Sequence, residues 1–283
     1  MKICFVILHY LTDKDTVECV ESIEKLDGGD KTEIVIVDNF SDNGSIERVK
    51  KAVEKYDNCT ILYNEKNLGF ARGNNTGYSY IRKKYGNCFI VVLNNDTVIR
   101  QQDFITRIFD AYDKNKYAVL GPDIISLIDG GHQNPMGRIP SENKIKKDIR
   151  KYRFLLLLSK LGVYNLLQKS FGENRSGRKI SLEKPQSAEI TDRSLHGSCV
   201  IFSPDFVSVM DEAFCPDTFL YKEEFILARR CAKKHLKMYF CSDIEIYHKE
   251  DSSTNQVVST AKSKREFLFK NLIKSNKVFL NNY

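Results

Sequence analysis

The chain has 283 residues, 42% hydrophobic and 11% aromatic, enough apolar material for one large core or two small ones. Charged residues make up 29%, which with the absence of low-complexity stretches excludes general disorder, and the longest unbroken apolar runs, Ile3 to Leu8 and Cys88 to Leu93, hold six residues each, too few to span a bilayer. The net charge of +7 is uneven, with +8 on residues 141 to 185, +5 on 253 to 283 and −6 on the remainder, so an acidic body carries two basic attachments suited to an anionic partner.

Ile3 to Leu8 reads as a strand covered on both faces, followed by a helix with Val17, Val20, Ile23 and Leu26 at helical spacing. Ile34 to Val37 is the second strand, Ile46, Val49, Val53 and Tyr56 mark a helix, and Thr60 to Tyr63 is a short strand. A helix over Phe70 to Lys84, the strand Phe89 to Leu93 and a helix with Phe104, Ile108 and Tyr112 on one face complete the first 120 residues. Strand and helix alternate throughout, the pattern of βαβ units in a mostly parallel, helix-covered α/β sheet.

From about 121 to 185 the alternation is expected to stop. A Gly/Pro-rich stretch leads into a basic segment in which Ile145, Ile149, Tyr152, Leu156, Val163 and Leu167 predict an amphipathic helix. Ser198 to Phe202 then reads as a strand, Tyr221 to His235 as a helix, and Met238 to Cys241 and Ile244 to Tyr247 as two short strands. A basic amphipathic helix with Phe267, Leu268, Leu272 and Phe279 is expected at the end. The eight cysteines, Cys4, Cys19, Cys59, Cys88, Cys199, Cys215, Cys231 and Cys241, show no C-x-x-C spacing, and Met1-Lys2 leads into a run too short for a signal peptide. Both point to reduced thiols and a cytoplasmic location.

Ligands of open parallel sheets bind beyond the strand carboxyl ends. Two such ends here carry polar clusters, Asp38 to Ser45 after the second strand and Asn94-Asn95-Asp96-Thr97 after the fourth. Either cluster alone could simply end a strand and cap a helix, whereas their coincidence favours a site. The segment from Asn64 to Gly77 brings glycines to a helix start, which offers free N–H groups to a phosphate. Neither the dinucleotide fingerprint G-x-G-x-x-G nor the P-loop occurs, which argues against hydride transfer with NAD and against ATP hydrolysis.

Five ordered pieces resemble the family 2 glycosyltransferases of GT-A fold, in particular rhamnosyltransferase-like members that build bacterial surface polysaccharides. They are the opening strand into His9-Tyr10, Val37 to Ser45, Asn67 to Asn75, Leu93 to Thr97, and Tyr221-Lys222-Glu223-Glu224 with Tyr247-His248-Lys249-Glu250. The resemblance implies an inverting enzyme that moves a sugar from a UDP- or dTDP-sugar to a glycan or polyprenyl-linked acceptor in capsule, O-antigen or exopolysaccharide synthesis. It implies one domain over 1–252, with a nucleotide half at 1–120, a variable basic insert at about 121–185 and an acceptor half at 186–252, followed by the helix of 253–283.

The resemblance also assigns residues. Leu8, Asp38, Asn67, Gly69, Arg72, Asn75, Asn94, Asn95 and Asp96 would bind the nucleotide-sugar, Asp38 accepting a pyrimidine N–H. Asn94-Asn95-Asp96 stands in the family's D-x-D position, so Asp96 alone supplies a carboxylate for Mn²⁺ or Mg²⁺, with His248 as a further ligand. Glu224 would be the general base, Glu223 its alternative. Arg230, His196 and Gly197 are candidate contacts to the diphosphate or acceptor, with a surface role for Arg230 equally open. The basic segment 141–185 would meet an anionic membrane on its inner face, or a second subunit of a homodimer, or solvent. Two rivals are a nucleotidyltransferase, which would need a basic glycine-rich loop where His9 to Asp13 stand, and a non-enzymatic polyanion binder; no nucleic-acid-binding motif is present.

Overall fold

The computed structural model describes residues 1–164, 181–250 and 260–281. The elements in chain order are β1 (Ile3–His9), α1 (Asp13–Glu24), β2 (Glu33–Asp38), α2 (Ser45–Val53), β3 (Cys59–Tyr63), α3 (Gly69–Tyr85), β4 (Phe89–Asn94), β5 (Thr97–Val98), α4 (Phe104–Asn115), β6 (Val119–Ser126), α5 (Glu142–Lys160), β7 (Ala188–Glu189), β8 (Cys199–Phe202), α6 (Pro204–Val209), α7 (Glu223–Lys233), β9 (Met238–His248) and α8 (Ala261–Asn281). Among the described residues one sheet has the order β3-β2-β1-β4-β8-β6-β9-β5, with β7 on β9. The strands β3, β2, β1 and β4 are parallel, and β8 enters antiparallel to both β4 and β6.

The strands alternate their side chains between two cores. Phe5, Ile7, Ile34, Ile36, Phe89, Val91 and Leu93 face the helices α1, α2 and α4, whereas Cys4, Val6, Val35, Val37, Ile90 and Val92 face α3, α6 and α7. Burial on both faces explains why these strands read as unbroken apolar runs. A side chain such as Phe5, wholly buried, contributes about 1.5–3 kcal/mol. The chain passes from β1 outward to β2 and β3 and then returns to β4 on the other side of β1. That reversal opens a crevice at the carboxyl ends of β1 and β4, where Leu8 and Asn94 are register partners.

Three expectations need correction. The alternating part does not stop at 120: β6 continues to Ser126 inside the sheet, its eight residues interrupted by Gly121 and Pro122, which masked the strand signal. The two short strands expected over 238 to 247 are one strand, β9, whose pairing with β6 shifts register between Pro122 and Asp123. The polar residues Ser242 and Asp243 lie at that irregularity, so the sequence looked like a turn. The basic segment forms α5 over Glu142–Lys160, capped by Ser141, whose hydroxyl accepts the Lys144 N–H. The helix stops at Lys160 and Gly162 follows at φ +77°, so the predicted run is broken before Val163, and Leu167 lies outside the described residues.

The helix α5 packs with α8 and α7 in a third, smaller core of Ile145, Ile149, Cys215, Ile226 and Phe279. Tyr152 stacks on Phe269 at 5.9 Å, and the Arg229 guanidinium lies 4.3 Å from the Phe279 ring centre. On the opposite face of α5, Phe154 and Leu157 are exposed, as is Leu161 just beyond its end. Of Leu155 to Leu158, Leu158 is buried and Leu155 and Leu156 are half-buried. No helix among the described residues is long and apolar enough to cross a membrane.

Candidate active site

The crevice is a cleft of about 620 Å³. Leu8 and Tyr10 come to it from β1, Asn39 from β2, Asn67, Gly69 and Phe70 from the start of α3, Asn94, Asn95 and Asp96 from β4, and Phe219 to Tyr221 from the approach to α7. Its remaining wall is the first two turns of α8, with Ala261, Lys264, Arg265, Phe267 and Leu268.

The floor is held by polar side chains. Asn39 donates to Asn67 Oδ1 at 3.0 Å and accepts from the Leu68 N–H at 2.9 Å. The Asn95 amide donates to the hydroxyls of Thr12 and Thr16, at 2.7 and 3.0 Å, tying β4 to the start of α1. His9 does the same for β1, with Nδ1 2.7 Å from Thr16 Oγ1 and Nε2 2.9 Å from Ser45 Oγ. Burial lowers its pKa to about 4, so His9 is a neutral staple at neutral pH.

The start of α3 departs from the expected phosphate cradle. The Gly69 N–H donates to Asn67 Oδ1 at 2.9 Å and the Phe70 N–H to the Phe219 carbonyl at 2.8 Å, so both donors are spent within the protein. Gly69, at φ +76°, lets that carbonyl approach: a Cβ here would lie 2.3 Å from the Phe219 oxygen. Its lack of a side chain serves a backbone crossing.

At the end of β4, Asp96 is buried and its Oδ1 has no hydrogen-bond partner. His248, the last residue of β9, stands with Nε2 3.4 Å from that oxygen. The strand pair β5–β9 brings them together, with the Lys249 N–H donating to the Asp96 carbonyl at 2.9 Å. His248 Nδ1 lies 2.8 Å from Gln133 Oε1, and the Gln133 amide nitrogen donates to Glu250. Because a carbonyl oxygen only accepts, Nδ1 carries a proton, which leaves Nε2 as the nitrogen that faces Asp96 and would serve as a metal ligand. A buried lone carboxylate oxygen beside an imidazole nitrogen suits a divalent cation, and the carboxamide behind the imidazole supplies the outer support such ligands use. No group of three or more His, Cys, Asp or Glu able to hold a metal exists among the described residues, so phosphate and water would fill the other positions.

The His248 ring continues into His196, 5.6 Å away edge to face, and His196 Nδ1 lies 3.0 Å from Ser198 Oγ. Next to it, Gly197 faces Glu224: a Cβ at 197 would sit 2.9 Å from Glu224 Oε1 and 3.4 Å from the Phe70 ring. Asp96, His248, His196, Gly197 and Glu224 thus form a row of neighbours that starts at Asp96 in the cleft wall. Glu224 is half-buried, and burial pushes its pKa up, opposed by the Lys222 ammonium. Glu223 is 2% exposed with its Oε1 unpartnered, and burial together with the neighbouring Glu224 raises its pKa to about 8. Tyr221 and Lys222 both adopt positive φ, 75° and 72°, in the turn that aims the pair. Two adjacent non-glycine residues there store strain of the kind found at functional sites.

Leu8, Asn67, Gly69, Asn94, Asn95 and Asp96 therefore meet in the cleft, while His248, His196, Gly197 and Glu224 stand beside it. Other sequence candidates lie elsewhere. Asp38 is buried at the end of β2, its carboxylate accepting the Ser41 N–H at 3.1 Å, and it is not in the cleft wall. Arg72 donates to the Pro216 carbonyl at 2.6 Å, and Asn75 exchanges two hydrogen bonds with the Phe214 backbone at 2.8 and 3.0 Å. Both tie α3 to the loop before α7. Arg230 donates to the Glu212 carbonyl at 3.3 Å. Gln133, Lys264 and Arg265 escaped the sequence reading, and Tyr10 entered it only as part of the opening motif, without a role. Only Tyr10, adjoining the first strand end, carried a signal there.

The solved structures with similar folds include S. aureus TarS residues 1–349 with UDP (TM-score 0.57, 16% identity, 96% of this chain and 64% of that one) and with UDP-GlcNAc (0.59, 16%, 96% and 65%). A third is the Pyrobaculum calidifontis mannosyltransferase PcManGT with GDP-Man and Mn²⁺ (0.56, 13%, 99% and 72%). The chain thus spans less than two thirds of the TarS fragment's length. No curated protein matches it in sequence. These likenesses show the GT-A fold. The sequence profile of glycosyl transferase family 2 matches residues 4–173, more than half of the chain, and by that match the chain belongs to glycosyl transferase family 2.

Proposed function

We propose that the protein transfers a sugar, with inversion at the anomeric carbon, from a UDP- or dTDP-sugar to a glycan or polyprenyl-linked acceptor in the synthesis of a cell-surface polysaccharide. The observation that carries the reading is the unpartnered Asp96 carboxylate oxygen beside His248 Nε2, at a cleft on the strand ends where the fold binds ligands.

In this reading the base and ribose lie against Leu8, Tyr10 and Asn39, with Asp38 supporting the turn behind them. Asp96 and His248 would hold Mn²⁺ or Mg²⁺, which when bound would offset charge on the diphosphate. The acceptor oxygen bonds to the anomeric carbon as the bond from that carbon to the β-phosphate oxygen breaks. The electron pair leaves with the nucleoside diphosphate, and the acceptor proton passes to Glu224. Glu224 suits the part better than Glu223, because its Oε1 lies against Gly197, which also adjoins Phe70 of the cleft wall. Its raised pKa makes it a stronger base than an exposed carboxylate. Arg230, which donates to the Glu212 carbonyl, braces the loop before α7.

The outer face of α5 is the proposed membrane contact. Phe154 and Leu157 are exposed there, with Leu161 following, among the exposed Lys147, Arg150, Lys151, Arg153 and Lys160. Apolar side chains among cations suit an anionic lipid surface, where polyprenyl-linked acceptors are presented.

A thermal-shift screen of nucleoside diphosphates and nucleotide sugars with Mn²⁺ tests the donor assignment. A ligand at 100 times its Kd stabilises the folded state by about 2.7 kcal/mol. UDP or dTDP and their sugars should raise Tm. A screen in which no nucleotide raises it contradicts the reading.

A further inference from the structure

The donor cleft is closed on one side by α8, a helix that lies beyond the sequence motifs that carry the family resemblance. Three of its wall residues carry acidic or basic side chains: Asp96 just beyond β4, and Lys264 and Arg265 from the first two turns of α8. We propose that Lys264 and Arg265 bind the diphosphate of the donor, a role that rests on the nucleotide-sugar reading of this cleft.

Charge balance supports this. One carboxylate and one imidazole, which ligates a metal without charge, would give the cation site a single negative charge, so a divalent ion there would leave +1. A donor diphosphate carries two negative charges, and a third develops as the sugar departs. The two cations of α8 bring the sum back to zero at the moment the leaving group is most charged.

The packing of α8 supports it as well. The Ser275 hydroxyl donates to the Leu220 carbonyl at 2.7 Å, and Phe267 meets Phe219 edge to face at 6.0 Å, so the helix is pinned to the loop that forms the adjoining wall. Arg265 Nε donates to Ser159 Oγ at 3.2 Å, and its guanidinium carbon lies 4.0 Å from the Tyr164 ring centre. A guanidinium held in this way loses little entropy on gripping phosphate. Lys264, one residue earlier and exposed, supplies a second cation at the same wall.

The test is calorimetry in EDTA, where the divalent ion makes no contribution. UDP, dTDP and GDP are each compared with their nucleoside, on wild type, Lys264→Gln, Arg265→Gln and the double variant. The wild type should prefer a diphosphate over its nucleoside by about tenfold or more, as charge-assisted hydrogen bonds to phosphate allow. Each single variant should lose part of that preference. The double variant should lose all of it, with nucleoside affinity within about twofold of wild type, and Lys264→Arg should retain it. A double variant with the full preference, or one that loses nucleoside and diphosphate equally, overturns the role. A wild type with no diphosphate preference in EDTA also overturns it. A wild type that binds none of the six compounds, with Mn²⁺ or without, overturns the nucleotide reading itself.

Discussion

His248 Nε2 and Asp96 Oδ1 stand 3.4 Å apart, and the proton on the other imidazole nitrogen is committed to Gln133. Gln133 is therefore expected to tune the cation site without touching it. Loss of such outer support commonly weakens metal binding about 10- to 100-fold. Gln133→Leu should weaken Mn²⁺ by that factor in an EPR titration with UDP present, and His248→Ala should weaken it more. Equal Mn²⁺ affinity in wild type and Gln133→Leu would show that the Nδ1 contact plays no part.

Gly197 and Glu224 give a second expectation. An added methyl at 197 would press on the far end of the Glu224 side chain, which can swing away at little cost in stability. Gly197→Ala should thus melt within about 2 °C of wild type yet lose kcat. Glu224→Gln should lose roughly 10²- to 10⁴-fold with donor binding nearly intact, and Glu223→Gln less. The reverse ranking moves the base to Glu223.

Glu223 links stability to pH. Its pKa is raised from 4.5 to about 8 in the folded state, so the folded protein holds the proton more tightly than the unfolded chain. The stabilisation is present below about pH 4.5 and is lost as pH rises through about 8. Glu223→Gln, neutral throughout, should gain on wild type as pH rises, by on the order of 2–4 kcal/mol at pH 8.5. Melting curves at pH 5 and 8.5 check this, and an equal Tm difference at both values would contradict it.

For the α5 face, vesicle co-sedimentation separates charge from insertion. Each lysine or arginine near an anionic surface contributes about 1 kcal/mol, screened by salt. Replacing Lys144, Lys146, Lys147, Arg150, Lys151 and Arg153 with Gln should lower binding at low salt to its salt-resistant part. Phe154→Ser with Leu157→Ser should remove the salt-resistant part. Binding that is absent in wild type, or unchanged in the Gln variant, would point to a subunit contact instead.

The half of the fold built from β1 to β4 was legible because its strands are buried on both faces and leave continuous apolar runs such as Phe89 to Leu93. The strand β6 was hidden by Gly121 and Pro122, and β9 by Ser242 and Asp243 at a register shift imposed by its partner. In the site, Asp96 stood out as a polar residue just past an apolar strand, and Glu223-Glu224 as an acidic pair opening a helix. Gln133 was not, because it reaches His248 across 115 positions of chain, and an isolated glutamine in a loop carries no local pattern. Asn75 and Arg72 show the converse: polar residues beside a glycine segment looked like ligand contacts and prove to bind the 214–216 backbone.

The most direct test of the account is calorimetry of UDP and dTDP against wild type and Asp96→Ala, each with Mn²⁺ and with EDTA. Wild type should bind at least one of them more tightly with Mn²⁺, Asp96→Ala should lose that increment while keeping the binding seen in EDTA, and Asn94→Ala should lose less. Identical affinity with Mn²⁺ and with EDTA, together with no effect of Asp96→Ala, would contradict the assignment of this cleft to a metal-assisted nucleotide-sugar.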